Sequence, residues 1–258
     1  MYNCILYEQK NSIVTITLNR PDFFNAFNEE QSNELQDALK KIEKNDQIRV
    51  VVLTGAGKAF CSGQDLKAIS GKKFSPREHL HKHYIPIIKA MRDLPKPIIC
   101  KLNGVAAGAG CSLALASDFI IASEKASLIE VFVSVGLVLD SGSSYFLPRV
   151  VGSAKAFELS TMGTKVTADE ALKLGMVNRV VPHDKLDEAV DEIVKYYANA
   201  PTKAIALIKT MLNKSFHSSL EEALELEAQY QEIAGSSEDY QEGLRAFIEK
   251  RKPEFKGK

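Results

Sequence analysis

Three short segments of this chain combine residue types that could take part in catalysis, and Asp140 lies in the most informative of them. It stands in GLVLDSGSSYFLPRVVG, residues 136–152, where the preceding Val138 and Leu139 are apolar and the following residues are small or aromatic. Apolar surroundings penalise the charged form of a carboxylate, which raises its basicity toward what a proton-moving group needs. The local sequence alone also fits a helix N-cap, because a serine, a glycine and a short apolar stretch follow Asp140.

Two glycine-bearing segments could present backbone N–H groups to a ligand. The first is AFCSGQDL, residues 59–66, whose small residues allow a close backbone approach; the alternative is a strand-to-helix turn capped by Asp65. The second is NGVAAGAGC, residues 103–111, which opens a helix of small residues. Free N–H groups at a helix start stabilise negative charge, although small residues also serve tight helix packing.

Length and composition limit the classes to which the protein can belong. The 258 residues are enough for one large domain or one domain with an appendage, and 33 basic residues balance 33 acidic ones. A neutral chain has no overall attraction for nucleic acid or an anionic membrane. No run approaches the roughly 20 apolar residues of a membrane span, no signal peptide is recognisable, and the four cysteines form no CxxC pair. We therefore expect a cytoplasmic protein without nucleic-acid or membrane partners.

Strand and helix patterns alternate through the first 200 residues. Such alternation implies parallel crossovers and an α/β layer architecture. The helices are predicted at 29–44 and 78–93 and in a small-residue run that ends at Ala116, and the strands at 13–18, 50–54, 98–102 and 119–122.

The character of the sequence changes after Pro201. Residues 202–250 contain no convincing strand, and apolar residues recur at helical spacing, namely Leu220, Leu224, Tyr230 and Ile233. We expect a helical module over 201–258 that buries this stripe against a partner subunit. The alternative is that the module folds back on its own domain.

Three histidines, His79, His81 and His83, fall on the second predicted helix. His79 and His83 share a face, but no HExxH pattern or supporting set of carboxylates accompanies them. A solvated helix face is therefore the favoured interpretation, and no metal site is expected.

Taken together, the segments resemble the crotonase (enoyl-CoA hydratase and isomerase) superfamily. The resemblance extends over nearly the whole chain, through LNRP at 18–21, NAFN at 25–28, AFCSGQDL, PKPIICKLNGVAAGAGCSLALASD and AFIEKRKP at 246–253. It implies an α/β fold with a repeated ββα spiral core over 1–200 that holds an acyl-CoA site, and a helical trimerisation module over 201–258. It also implies a homotrimer or a dimer of trimers.

The resemblance further implies an acyl-CoA thioester substrate, with coenzyme A as part of the substrate and no separate cofactor. The backbone amides of Gln64 and Ala109 would form an oxyanion hole for the thioester carbonyl. Such donors suit an enolate, because each can be worth roughly 3–4 kcal/mol. The coenzyme A portion would lie along the backbone near Ala26 and along Ser62, Gln64, Asp65 and Leu66.

The chain departs from the hydratase pattern at both acidic positions. Hydratases of this superfamily use two glutamates, and the corresponding positions here are Ser112 and Phe132. Hydration needs a base for the water and an acid for the carbon, which these residues cannot supply. Glu130 would share a strand face with Phe132 and could lie nearby, although a surface or salt-bridge role is the favoured interpretation.

Asp140 is then the main acid–base candidate, as in several non-hydratase members. GLVLDSG, the following Leu-Pro-Arg and the C-terminal tail are most similar to the ring-1,2-epoxyphenylacetyl-CoA isomerases, which implies double-bond or ring-epoxide isomerisation by a proton shuttle at Asp140. The alternatives are an enoyl-CoA hydratase, a dehalogenase-like enzyme that uses the aspartate as nucleophile, and a non-catalytic coenzyme A-binding module. The acyl group and the choice between trimer and hexamer stay open.

Overall fold

Apolar and β-branched runs form the strands of this protein, whose computed structural model describes residues 2–69 and 75–258. The strands in these ranges are β1 Ile5–Lys10, β2 Ile13–Leu18, β3 Val50–Gly55, β4 Ala59–Cys61, β5 Ile98–Leu102, β6 Val105–Ala107, β7 Phe119–Ser123, β8 Ser127–Ile129, β9 Lys165–Thr167 and β10 Arg179–Val181.

Helices connect and cover these strands. They are α1 Glu29–Glu43, α2 Leu66–Ile69, α3 Pro76–His79, α4 Ile85–Asp93, α5 Ala109–Leu115, α6 Ser143–Val151, α7 Ser153–Met162, α8 Ala168–Lys173, α9 Leu186–Asn199, α10 Thr202–Ser215, α11 Leu220–Gly235 and α12 Glu238–Glu249. A π-helical turn, Leu80–Tyr84, joins α3 to α4, and 3-10 turns lie at Pro21–Phe23, Val131–Val135 and His183–Lys185.

The strands form two sheets through a repeated ββα pattern. The first sheet has the order β1-β2-β3-β5-β7-β10 and is parallel except for β1, and the second has the order β4-β6-β8-β9. Each pair β3–β4, β5–β6 and β7–β8 gives one strand to each sheet, so the chain advances by one strand per unit. The expected ββα spiral is confirmed.

The predicted strands match four of the six strands of the first sheet, whereas β1, β10 and the whole second sheet were not predicted. The predictions at 13–18 and 98–102 match β2 and β5, and those at 50–54 and 119–122 fall one residue short of β3 and β7. The strands of the second sheet have three residues each, which is too short for an alternating pattern to stand out. Thus β6 lies inside a run that was predicted as a turn followed by a helix.

The central strands are covered on both faces, as their unbroken apolar runs indicate. One face of β3, carrying Val50 and Val52, packs against Val190 and Ile193 of α9. The other face, with Val51 and Leu53, belongs to the larger core shared with α1, α4 and α5. This two-sided burial makes the sheet a rigid support for the loops at its edge.

The C-terminal helices differ in how they meet the core. In α10, Lys209 is buried and donates to the Met91 carbonyl and to Asp118, and Asn213 bonds to Arg92. In contrast, α11 has no buried residue, and Leu220 and Leu224 of the predicted stripe are exposed. No helix within the described ranges is long and apolar enough to cross a membrane.

Candidate active site

The turn before α6 carries Asp140. Ser141 and Gly142 have φ values of 51° and 86°, so two successive left-handed residues redirect the chain into α6. The N-cap of α6 is Gly142, without a side-chain cap bond, while the Asp140 Oδ1 accepts a hydrogen bond from the Ser141 hydroxyl at 2.8 Å. The N-cap interpretation of Asp140 is therefore wrong, because the side chain is not used by the helix.

Asp140 is half-buried, and burial raises the pKa of its carboxyl group, although the hydrogen bond from Ser141 acts in the opposite direction. The sequence-based reason for this shift needs correction. Val138, the apolar neighbour in the chain, is 83% exposed and does not cover the carboxylate. Val138 therefore does not contribute to the desolvation of Asp140.

The two glycine-bearing segments are in direct backbone contact. A Cβ atom on Gly63 would lie 2.8 Å from the Ala107 carbonyl oxygen and 3.5 Å from the Ala109 nitrogen. A Cβ atom on Gly110 would lie 2.1 Å from the Cys61 carbonyl oxygen. Glycine at both positions lets β4 and the start of α5 meet at main-chain distance, so the structure brings the Gln64 and Ala109 segments together.

Both amides predicted for the oxyanion hole are in positions that leave them available. Phe27 pairs with Gln64 as a parallel bridge, in which Phe27 bonds to Gly63 and Asp65 and the Gln64 amide points to the other side. Ala109 is the first residue of α5, and the first N–H groups of a helix have no partner within it. Within the part of the chain that the structure describes, neither amide donates a hydrogen bond.

The Gln64 side chain is held by a polar network that the sequence analysis did not foresee. Its Oε1 accepts hydrogen bonds from the Tyr84 hydroxyl at 2.5 Å and from the His79 Nε2 at 2.7 Å. Burial raises the pKa of Tyr84, and negative charge on Cys61 or Asp140 would act in the same direction. The Gln64 side chain is thus fixed by α3 and by the π-helical turn that follows it.

The histidine interpretation is partly wrong. His83 is only 3% exposed, and its ring centroid lies 4.6 Å from that of His79, which is half-buried. The π-helical turn adds a residue to the helical path. The His79 ring is directed at Gln64 and Tyr84, and the His83 ring is buried rather than exposed to solvent. No group of metal-binding side chains occurs among the described residues.

The two positions that hold glutamates in hydratases have structural partners here. The Ser112 hydroxyl is fully buried and donates to the Asp140 carbonyl oxygen at 3.0 Å. Phe132 is 6% exposed, and its ring atoms lie 3.9 Å from the point where a Cβ atom of Gly108 would be. One position therefore secures the Asp140 turn, and the other forms an apolar cover next to α5.

Glu130 is buried, with 2% exposure, so the expectation of a surface or salt-bridge role is wrong. Its Oε1 accepts from the Ser143 hydroxyl at 2.6 Å and from the Cys111 thiol at 3.3 Å. Its Oε2 is buried without a hydrogen-bond partner among the described residues. Burial raises the pKa of Glu130, and the charge of Asp140 adds to the shift.

The residues expected along coenzyme A also lie together. Phe27 donates to the Gly63 carbonyl at 2.7 Å, which places Ala26 beside the segment that begins at Ser62. Arg20 forms an ion pair with Asp65 at 3.0 Å and also bonds to the Ala26 carbonyl. Asp65 caps α2, and the first residue of that helix, Leu66, is 49% exposed. Asp65 therefore caps α2, as in the alternative interpretation, and its binding role stays a prediction.

Comparisons with known proteins agree with this geometry. The sequence profile of the enoyl-CoA hydratase/isomerase family matches residues 8–258. The chain is 40% identical to a 1,2-epoxyphenylacetyl-CoA isomerase of Escherichia coli over the full length of both, and 33% identical to a trans-2-decenoyl-[acyl-carrier-protein] isomerase of Streptococcus mutans over 98% of each. The crystal structure of an enoyl-CoA hydratase from Bacillus anthracis is similar with a TM-score of 0.92 and 36% identity, covering 99% of this chain and 100% of that one.

Proposed function

This chain belongs to the enoyl-CoA hydratase/isomerase family, and within it we propose that the protein is an isomerase that moves a double bond, or opens a ring epoxide, in the acyl group of a coenzyme A thioester. One observation carries the proposal. Asp140 is a half-buried carboxylate of raised pKa beside the oxyanion segments, whereas the hydratase acid positions hold Ser112 and Phe132.

In the proposed reaction Asp140 acts first as base and then as acid. The ionised carboxylate removes a proton from C2 of a 3-enoyl thioester, and the electron pair moves into the thioester carbonyl to give a dienolate. The protonated Asp140 then returns the proton to C4, which yields the 2-enoyl product. A raised pKa favours this exchange because a proton shuttle works best when its pKa approaches the working pH.

The amides of Gln64 and Ala109 would stabilise the dienolate oxygen between the two steps. Fixed donors contribute most where charge develops, because they need no reorganisation during the reaction. The network of Tyr84 and His79 around Gln64, together with the contact of Gly63 with Ala107, supports such a fixed arrangement.

The alternative reactions are less consistent with the site. Hydration needs a second carboxyl group that can reach the reacting atoms, and both oxygens of Glu130 are turned into the protein. A dehalogenase-like reaction relies on a tryptophan beside the aspartate, and this chain has no tryptophan.

In the proposed complex with substrate, the exposed Leu66 and the Ala26 segment would lie along coenzyme A. A trimer or a dimer of trimers would be the working form.

The decisive experiment compares wild type with Asp140→Asn on 3-enoyl-CoA, 2-enoyl-CoA and 1,2-epoxyphenylacetyl-CoA, with isomerisation and hydration followed separately. We expect wild type to isomerise. Asp140→Asn should lower the rate by about 10³-fold or more, since an amide cannot accept the proton. Binding of coenzyme A, measured by calorimetry, should persist because the predicted binding residues are intact.

Ser141→Ala is the matched control, because it removes the hydrogen bond to Asp140 and keeps the carboxylate. It should retain most of the isomerase rate. Rapid hydration that survives Asp140→Asn would refute the mechanism. Coenzyme A binding without turnover of any substrate would favour the non-catalytic module.

A further inference from the structure

Two parallel links join the Asp140 turn to the helix that begins with Ala109. In the first, the Asp140 carbonyl oxygen accepts from the Ser112 hydroxyl of α5 at 3.0 Å and from the Ser143 amide of α6 at 2.9 Å. In the second, the Glu130 carboxyl accepts from the Cys111 thiol of α5 at 3.3 Å and from the Ser143 hydroxyl at 2.6 Å. Cys111 and Ser112, which are consecutive in α5, therefore each share an acceptor with Ser143. The shared acceptors are the Glu130 carboxyl group and the Asp140 carbonyl oxygen.

We propose that Glu130 is a positioning residue that holds the Asp140 turn against the start of α5, and so fixes the distance between the proton-transferring carboxylate and the oxyanion amides. The proposal rests on the proposed isomerase function. It explains why a carboxylic acid occupies a place that is 2% exposed and has no direct part in the chemistry.

The turn that Glu130 secures is one that needs support. Ser141 has a φ of 51°, in the left-handed region that non-glycine residues avoid, and Gly142 continues that conformation. Such residues persist when their surroundings over-determine them. Glu130, directly after β8, and Ser112 of α5 supply these constraints.

The surroundings of Glu130 favour its neutral form. The titratable groups that act on it are Cys111 on α5 and Asp140 on the turn before α6, and neither is a cation. Within the described ranges no lysine or arginine pairs with Glu130, and its Oε2 has no donor. A neutral acid leaves Asp140 free to ionise, whereas an ionised Glu130 would place a second negative charge beside the dienolate.

The test compares Glu130→Gln, which keeps an oxygen acceptor, with Glu130→Leu, which does not. In Glu130→Leu we expect kcat for isomerisation to fall by up to about 100-fold with KM unchanged, because small misplacements of a reacting group are costly. Glu130→Gln should restore kcat. Ser143→Ala should give the same loss as Glu130→Leu, and the double variant should lose no more, because both cut one link.

Ser127→Ala is the control, since Ser127 is a buried serine of β8 whose hydroxyl has no partner among the described residues. It should keep the wild-type kcat. The pH profile adds a readout that a purely structural role would not change: kcat of wild type should decline at high pH as Glu130 ionises, and this decline should be absent in Glu130→Gln. Wild-type kcat in Glu130→Leu, or an unchanged decline in Glu130→Gln, would overturn the proposal.

Amide hydrogen exchange separates failure of this inference from failure of the proposed function. In Glu130→Leu the Ser143 amide, which bonds to Asp140, should exchange faster than in wild type, and in Glu130→Gln it should stay slow. This measurement needs no substrate. Absence of isomerisation by wild type would therefore refute the function alone, whereas equal exchange in Glu130→Leu and wild type would refute the positioning role.

Discussion

Two serine hydroxyls bond to Asp140, and one of them belongs to Ser112, at a position where a hydratase has a glutamate. Ser141 donates to its carboxylate, and Ser112 donates to its carbonyl oxygen. A hydroxyl donor lowers a carboxyl pKa less than a cation does, so burial determines the direction of the shift at Asp140. Among the described residues Asp140 has no cationic partner, so its carboxylate keeps its basicity, which suits repeated proton transfer to and from carbon.

The oxyanion amides can be tested one at a time. Ala109→Pro removes the N–H from the first position of α5, where proline is tolerated because that N–H has no helical partner. We expect kcat to fall by about 10²–10³-fold, the loss typical of one oxyanion donor. The measurement is the isomerisation rate at saturating substrate.

Ala109→Gly serves as the control, because it changes the same side chain and keeps the amide. It should stay close to wild type in kcat. A wild-type rate in Ala109→Pro, with the protein folded by circular dichroism, would remove Ala109 from the oxyanion hole.

Sequence reasoning was most reliable for residues that belong to continuous motifs. The segments that contain Gln64 and Ala109 were recognised from their glycines, and those glycines make the backbone contacts in the structure. The environment of Glu130 was not predictable, because its partners Cys111 and Ser143 are 19 and 13 residues away in the chain. The two-residue spacing between Glu130 and Phe132 did not indicate how deeply the Glu130 carboxyl group is buried.

At the scale of elements, the contact between β4 and α5 depends on Gly110. Its missing side chain allows a backbone approach in which a Cβ atom would lie 2.1 Å from the Cys61 carbonyl oxygen. We expect Gly110→Ala to lower the free energy of unfolding by about 3 kcal/mol, at the upper end of overpacking costs. It should also lower kcat, because the Ala109 amide must move.

Gly235→Ala is the matched control in another helix, since nothing lies within 4 Å of its Cβ position and its φ is not in the left-handed region. It should raise the free energy of unfolding by about 0.5 kcal/mol, as alanine reduces the entropy of the unfolded chain. Chemical denaturation of both variants makes the comparison. Equal effects of the two substitutions would contradict the close contact at Gly110.

Elements were predictable in proportion to their length. The prediction at 29–44 matches α1 to one residue, because a helix of 15 residues displays several turns of apolar spacing. The prediction at 78–93 covers α4 but misses the π-helical turn, since one extra residue in a helical path leaves the local pattern almost unchanged. The three-residue strands form hydrogen bonds with strands that are distant in sequence, so the local sequence does not predict them.

At the scale of the whole molecule, the C-terminal helices present a large apolar surface. Phe247 and Ile248 of α12 are 82% and 70% exposed, and Leu220 and Leu224 of α11 are 70% and 54% exposed. Single chains seldom leave such surfaces open to water. We expect sedimentation to give a trimer or a dimer of trimers of the 28.5 kDa chain.

Leu224→Glu should shift the sedimenting species toward the monomer, because a charge would be buried in the interface. Leu6→Glu, at a leucine of β1 that is 44% exposed, is the control and should leave the oligomer intact. A monomeric wild-type protein would contradict the prediction. The helical character after Pro201 was predictable from apolar spacing. The sequence of one chain does not show what covers the apolar surface of these helices.

The π-helical turn Leu80–Tyr84 has a consequence for how related enzymes can diverge. His79 and Tyr84 lie at its two ends and both bond to the Gln64 side chain. Deleting one residue between them would restore α-helical geometry and leave the two side chains four residues apart, a spacing that keeps them on one face of an α-helix. A related enzyme could therefore lose the extra residue of this turn and still direct both side chains toward Gln64.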